Sequence, residues 1–185
     1  VAGFVTNSVE AVIAMLATTS IGAIWSSCSP DFGVNGVLDR FGQIKPKVLF
    51  ACRDYFYNGK HIDCLPRLKK IQNNISSLEN TIIFSPLNTL KANSLNLKKT
   101  TSFELVCENS EVSIDFEQLP FNHPLYIMYS SGTTGAPKCI VHSAGGALLQ
   151  HLKEHRLHTN IKSNDVVFYF STCGWMMWNW LVSVL

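Results

Sequence analysis

The residues from Tyr129 to Lys138, Tyr-Ser-Ser-Gly-Thr-Thr-Gly-Ala-Pro-Lys, hold the densest chemistry in the chain. Ser130, Ser131, Thr133 and Thr134 supply hydroxyl donors. Gly132 and Gly135 let backbone N–H groups turn toward an anion and approach it closely. Lys138 closes the run with a point charge on a flexible stem. The apolar run Pro124-Leu125-Tyr126-Ile127-Met128 comes directly before, so a strand delivers the loop. A strand followed by such a loop is a way to hold phosphate. An ordinary turn uses Gly and Pro freely, but seldom stacks four hydroxyls before a lysine. The spelling is not Gly-x-x-x-x-Gly-Lys-[Ser/Thr]: Pro137 stands at the second glycine and Cys139 at the metal-binding hydroxyl, which disfavours that class of nucleotide loop.

Other stretches invite chemistry less strongly. Gly174-Trp175-Met176-Met177-Trp178-Asn179-Trp180 packs three Trp and two Met into six residues. That composition suits a core patch, or an apolar pocket wall at the end of a sheet where α/β proteins bind ligands. His151, His155 and His158 share a helix face, but Lys153 and Arg156 flank them and the order is not that of a zinc protease, so a solvated, mildly basic face is expected. No metal site is expected in this chain. Residues 166–185 carry no charge and are long enough to span a bilayer. Gly174, Asn179 and three hydroxyl residues argue against a span.

With 46% hydrophobic and 15% charged residues and a net charge of +2, the chain shows no basic stripe and no support for nucleic-acid binding. Its six cysteines are scattered without a Cys-x-x-Cys pair, the pattern of reduced thiols in a cytosolic protein. The sequon Asn74-Ile75-Ser76 reads as chance. The chain starts at Val1 and stops at Leu185 inside an apolar run, which is expected of a piece of a larger protein.

The elements that must position these residues alternate. A strand over 1–5 precedes a helix over 9–20 that Ser8 can cap, with Val12, Ile13, Leu16 and Ala17 at helical spacing and Glu10 in the first turn. Strands are expected at 23–28, 47–52 and 81–84, with helices at 34–43 and 65–72, the former carrying Val37, Leu38 and Phe41 on one face. Tyr57-Asn58-Gly59-Lys60 is read as a turn. Residues 86–119 are an irregular connecting segment with one edge strand at 102–106, not a domain boundary. Beyond the loop come a strand at 140–143, a helix at 147–158 and a buried strand at 166–170. Residues 174–180 turn out of that strand, and a helix begins near Leu181. The fold class is α/β, built from βαβ units around a largely parallel sheet.

Tyr129 to Lys138 resembles the phosphate loop of the adenylate-forming superfamily, an aromatic residue followed by [ST]-S-G-[ST]-T-G-x-P-K-G, at every position but the last, where Cys139 replaces Gly. Asn7 to Ala11, Ile21-Gly22-Ala23, Val141 to Gly146 and Asp165 to Trp175 resemble its acetyl-CoA synthetase branch. Trp25 to Gly33, Pro137-Lys138-Cys139 and Gly174 to Trp180 resemble the members that join acetoacetate to CoA.

The resemblance implies that residues 1–185 are an incomplete large N-terminal domain of an AMP-dependent ligase. It implies ATP and CoA as substrates and Mg2+ as the metal. The magnesium-binding Glu, the adenine and ribose motifs and the C-terminal domain would then lie outside this chain. It further implies that Ser130, Ser131, Gly132, Thr133, Thr134, Gly135 and Lys138 hold the ATP phosphates. Lys138, Thr133 and Thr134 would act on the reaction, Lys60 would contact CoA, and Trp175, Met176 and Met177 would line the acyl pocket. Tyr57 stands where the branch carries an Arg, and Trp178-Asn179 where it carries Gly-His. A non-catalytic nucleotide-binding module, or a relative using acetate, propionate or butyrate, stays open. No protein partner is indicated.

Overall fold

The computed structural model describes residues 1–87, 97, 99–108, 113–130 and 135–185. Ser131, Gly132, Thr133 and Thr134 therefore lie outside the described residues. Strand β1 (Ala2–Phe4) is flanked by β2 (Ser26–Cys28) and by β3 (Val48–Cys52), the middle strand of five, and β6 (Asn80–Phe84) and β7 (Thr100–Ser102) continue outward. All four pairings in the order β2-β1-β3-β6-β7 are parallel, as the alternation of strands and helices predicts. Crossover helices α1 (Val9–Ser20), α2 (Gly33–Ile44) and α3 (Leu65–Asn74) link the strands. Parallel strands covered on both faces lose all contact with water, and Ala2, Phe4, Val5, Leu49, Ala51 and Ile83 are accordingly buried. Val37 and Phe41 of α2 and Leu68 and Ile71 of α3 complete that core.

Several elements differ from expectation. In α1 the buried stripe is Ala11, Ala14, Met15 and Thr18, while Ile13, Leu16 and Ala17 face outward. A nearly all-apolar helix does not reveal which side meets the sheet. Ser8 occupies the cap position, but its side chain makes no capping bond. Residues 54–63 form the hairpin β4 (Asp54–Tyr57) and β5 (Lys60–Asp63), closed by Asn58-Gly59 with both φ angles positive. The edge strand is Thr100–Ser102 rather than 102–106, because Ser102 caps the helix α4 (Phe103–Cys107), its Oγ accepting the Leu105 N–H at 3.2 Å.

A second, two-stranded ladder pairs β8 (Pro124–Tyr129) with β9 (Cys139–Ser143), antiparallel. Trp25 donates its N–H to Leu125 O at 3.0 Å and accepts from Ile127 N–H at 2.9 Å, tying β8 alongside the start of β2. The helix α5 (Ala144–Lys153) starts three residues earlier than expected because Ser143 Oγ accepts the Gly146 N–H at 3.2 Å, and a wider turn (Glu154–His158) continues it. The expected buried strand at 166–170 is not a strand, and its apolar residues face outward: Val166 is 99% exposed, and Phe168 and Phe170 are each 82% exposed. No other strand among the described residues pairs with it, and an extended segment without a ladder partner buries neither backbone nor side chains. The last helix, α6 (Met176–Val182), already begins at Met176, within the stretch read as a turn.

No helix of the described residues is long and apolar enough to cross a membrane.

Candidate functional site

The loop is delivered as its composition suggests. Leu125 to Tyr129 are apolar strand formers, and β8 and β9 are in register with Tyr129 opposite Cys139. Ser130 N–H donates to Lys138 O at 3.0 Å, and Lys138 N–H donates to Ser130 Oγ at 3.2 Å. Two residues of the glycine-hydroxyl loop, eight apart in sequence, thus pinch its base. Gly135 has φ +114°, a region that L side chains rarely adopt. The Lys138 side chain is exposed.

Tyr129, at the entry of the loop, is anchored beneath it. Ser26 Oγ donates to Ile127 O at 2.7 Å and meets Tyr129 Oη at 2.9 Å. Burial raises the Tyr129 phenol well above its usual range and pushes Tyr126 up to about 12. The Arg40 guanidinium lies 5.6 Å from the Tyr129 ring centroid and 4.6 Å from that of Phe32. Phe32 meets Trp175 edge-on at 5.8 Å. It also approaches Gly174 so closely that a Cβ there would sit 2.5 Å from Phe32 Cζ. A chain of rings and one cation therefore runs from the entry of the glycine-hydroxyl loop to the Trp/Met segment.

That segment is divided. Trp178, Asn179 and Trp180 are buried, Met177 is half-buried, and Trp175 and Met176 are exposed. Trp178 Nε1 donates to Asn7 Oδ1 at 2.9 Å, and Ser27 Oγ donates to Cys173 O at 2.6 Å. A cavity of about 10 Å3 lies between Trp25, Ser27, Tyr126, Gly174, Trp175 and Asn179. It has room for roughly one water, and neither Met176 nor Met177 is among its walls. Trp25 Nε1 and Asn179 Oδ1 have no hydrogen-bond partner among the described residues.

Lys60 is exposed at the hairpin turn, and no hydrogen bond or ring contact joins it, Met176 or Met177 to the loop among the described residues. The hairpin is held by Asp54, fully buried, which accepts from Arg53 Nη1 at 2.8 Å and Ser85 Oγ at 2.7 Å, with His61 Nε2 at 3.2 Å. Arg40 is not visible as a site residue in the sequence, since the Tyr129 ring that it faces is distant along the chain. The hairpin itself had a signal, Asn-Gly directly after the aromatic run Tyr55-Phe56-Tyr57.

The histidine face is not the solvated surface expected. His155 is 7% exposed and stacks edge-on against Trp180 at 4.8 Å. His151 Nδ1 meets Ser183 Oγ at 2.9 Å, and only His158 is exposed. Among the described residues no group of three or more His, Cys, Asp or Glu could hold a metal ion. Nor are Cys28, Cys139 and Cys173 poised as nucleophiles: burial pushes Cys28 up to about 12 and raises Cys173 and Cys139 as well. What the described residues of the loop show is a backbone pinched between Ser130 and Lys138, with the Lys138 side chain exposed beside it.

The family model described as "AMP-binding enzyme" matches residues 1–184. The chain belongs to the AMP-binding enzyme family. Among curated proteins it is similar to an acetoacetyl-CoA synthetase of Gallus gallus, 52% identical over 192 residues, covering 100% of this chain and 28% of that protein. An acetoacetyl-coenzyme A synthetase of Rhizobium meliloti (strain 1021) is 50% identical over 185 residues, with the same shares covered. Among solved structures, acetoacetyl-CoA synthetase from Streptomyces lividans superposes with a TM-score of 0.91 at 42% identity, covering 99% of this chain and 27% of that one. The chain thus spans a little over a quarter of the length of the relatives it matches. The fold around the parallel sheet is this chain's share of that architecture.

Proposed function

We propose that this chain forms the phosphate-binding part of an ATP-dependent carboxylate–CoA ligase that activates acetoacetate. Its carriage by one observation is simple: the likeness to acetoacetyl-CoA synthetases runs through the whole chain, including both stems of the loop. In this reading a carboxylate oxygen of acetoacetate attacks the α-phosphorus of ATP. The bond to the β-phosphate oxygen breaks, and pyrophosphate leaves. The CoA sulfur then attacks the carbonyl carbon of the acyl-adenylate, giving acetoacetyl-CoA and releasing AMP.

The protein's part is positioning and charge stabilisation. Ser130, Ser131, Gly132, Thr133, Thr134 and Gly135 cradle the β- and γ-phosphates, and Lys138 offsets charge on the departing pyrophosphate. Trp175, Met176 and Met177 face the acyl group, and Lys60 is assigned to CoA. Magnesium would accompany the nucleotide, its Glu ligand lying on chain outside this sequence. Residues 1–185 are assigned to the large N-terminal domain, with the remaining catalytic parts on chain outside this sequence. A cytosolic place, feeding a ketone body into lipid metabolism, belongs to the same proposal; all six cysteines being free supports it.

The test is acetoacetate-dependent exchange of labelled pyrophosphate into ATP by the full-length protein. Lys138→Ala is expected to lower it by roughly 10- to 1000-fold, the scale of losing one preorganised donor. Unchanged exchange removes Lys138 from the mechanism. Acetate, propionate and butyrate in the same assay decide the acyl specificity, and Met177→Ala is expected to change their ratios. ATP binding without exchange for any acid would mark a non-catalytic nucleotide-binding module.

A further inference from the structure

We infer that helix α2 grips the phosphate loop by both stems, and that Gln43 is a positioning residue for Lys138. This rests on the phosphate-loop reading above and uses only described residues. Gln43 stands in the last turn of α2, 94 residues before its partner Pro137. Its Nε2 donates to Pro137 O at 2.8 Å and to Asp39 O of its own helix at 2.6 Å. Its Oε1 accepts from Cys139 Sγ at 3.5 Å. The amide therefore holds the residue before Lys138 and the residue after it. From the other side, the Lys138 backbone is bonded twice to Ser130. One turn earlier on α2, Arg40 faces the ring of Tyr129 at the loop entry. Entry and exit are thus referred to one helix, which is itself packed in the core through Val37 and Phe41.

The physical consequence concerns the lysine. Its side chain is exposed and rich in rotamers, so ordering its ammonium on a phosphate costs conformational entropy. A backbone clamped on both sides removes the part of that cost that comes from movement of the loop. The family's Gly at position 139 has no side chain to reach Gln43. Cys139 adds a second, weaker tie where this chain departs from the pattern, so the departure fits the grip.

The experiment is steady-state pyrophosphate exchange on the full-length protein carrying Gln43→Ala, Gln43→Glu, Lys138→Ala and the double variant Gln43→Ala/Lys138→Ala. Gln43→Ala is expected to raise KM for MgATP about three- to tenfold, the loss of one to two hydrogen bonds, while KM for acetoacetate stays within about twofold. Gln43→Glu, which cannot donate to Pro137, is expected to match it. The double variant is expected to be no worse than Lys138→Ala alone, because Gln43 acts through that lysine. Since Gln43 is exposed, the melting temperature is expected to hold.

An unchanged KM for MgATP in Gln43→Ala beside a damaged Lys138→Ala overturns the grip alone. Equal rises in both KM values with a lowered melting temperature make Gln43 merely structural and overturn it too, as does full additivity in the double variant. A silent Lys138→Ala overturns the phosphate-loop reading and the grip with it. Arg40→Met gives a second check. It is expected to raise both KM values, since Arg40 touches Tyr129 on the loop and, through Phe32, Trp175.

Discussion

Two short apolar segments of similar composition meet opposite fates. In Ala2–Phe4 every residue is buried, whereas Val166 to Phe170 lie largely in solvent. Hydrophobicity does not separate them, for the second run is the bulkier. The difference is neighbours. β1 has β2 on one side and β3 on the other, so its backbone groups are paired and helices close over its faces. Residues 166–170 have no ladder partner among the described residues. A strand is a property of the sheet that receives it, so an apolar run is only a candidate until a partner edge exists.

The two regions should respond differently to the same kind of substitution. Phe41→Ala removes a fully buried ring from the core cluster that also holds Ala2 and Phe4, and about 3–5 kcal/mol of stability is expected to go with it, read by urea denaturation. A loss under about 1 kcal/mol would mean that this core is looser than its burial suggests. Gly174→Ala tests the boundary between the regions. The added methyl meets Phe32, so about 1–3 kcal/mol of overpacking is expected, accompanied by a change in the Trp175 environment seen by fluorescence.

For the exposed run, the 185-residue chain by itself is expected to self-associate through its apolar surface. Phe168→Ser with Phe170→Ser is expected to reduce light scattering and to change stability by no more than about 0.5 kcal/mol. A monodisperse parent chain would break the comparison. The smallest effect is a pH dependence near α5. Burial, and then the neighbouring His155, hold His151 below its ordinary value of 6.5. The unfolded chain takes up that proton at higher pH than the folded one. The neutral ring's contribution is therefore intact above 6.5 and is lost as pH falls through the lowered folded value. Melting followed from pH 7.5 down to about 5 should show a decline that His151→Gln flattens.

Much of the architecture was legible because its causes are local. The helix at 9–20, the strand–helix alternation and the strand that precedes the loop follow from composition, period and turn residues within a few positions. The orientation of α1 was not legible, since nearly every side of it is apolar and the sheet chooses which one is covered. His155 was misread for a related reason: its burial comes from Trp180, on another element. Gln43 and Arg40 had no local mark at all. Their importance lies in contacts with residues 89 to 96 positions away, and no pattern of period or spacing encodes such a pairing.

By itself the sequence determined that hydroxyls, glycines and a lysine directly follow a strand, because those groups are consecutive and their chemistry travels with them. Only the tertiary structure decided what steadies that loop, how it is joined through Arg40, Phe32 and Trp175 to the Trp/Met helix, and which apolar run becomes a strand. Each of those outcomes depends on which surfaces the fold brings within a few ångströms of one another.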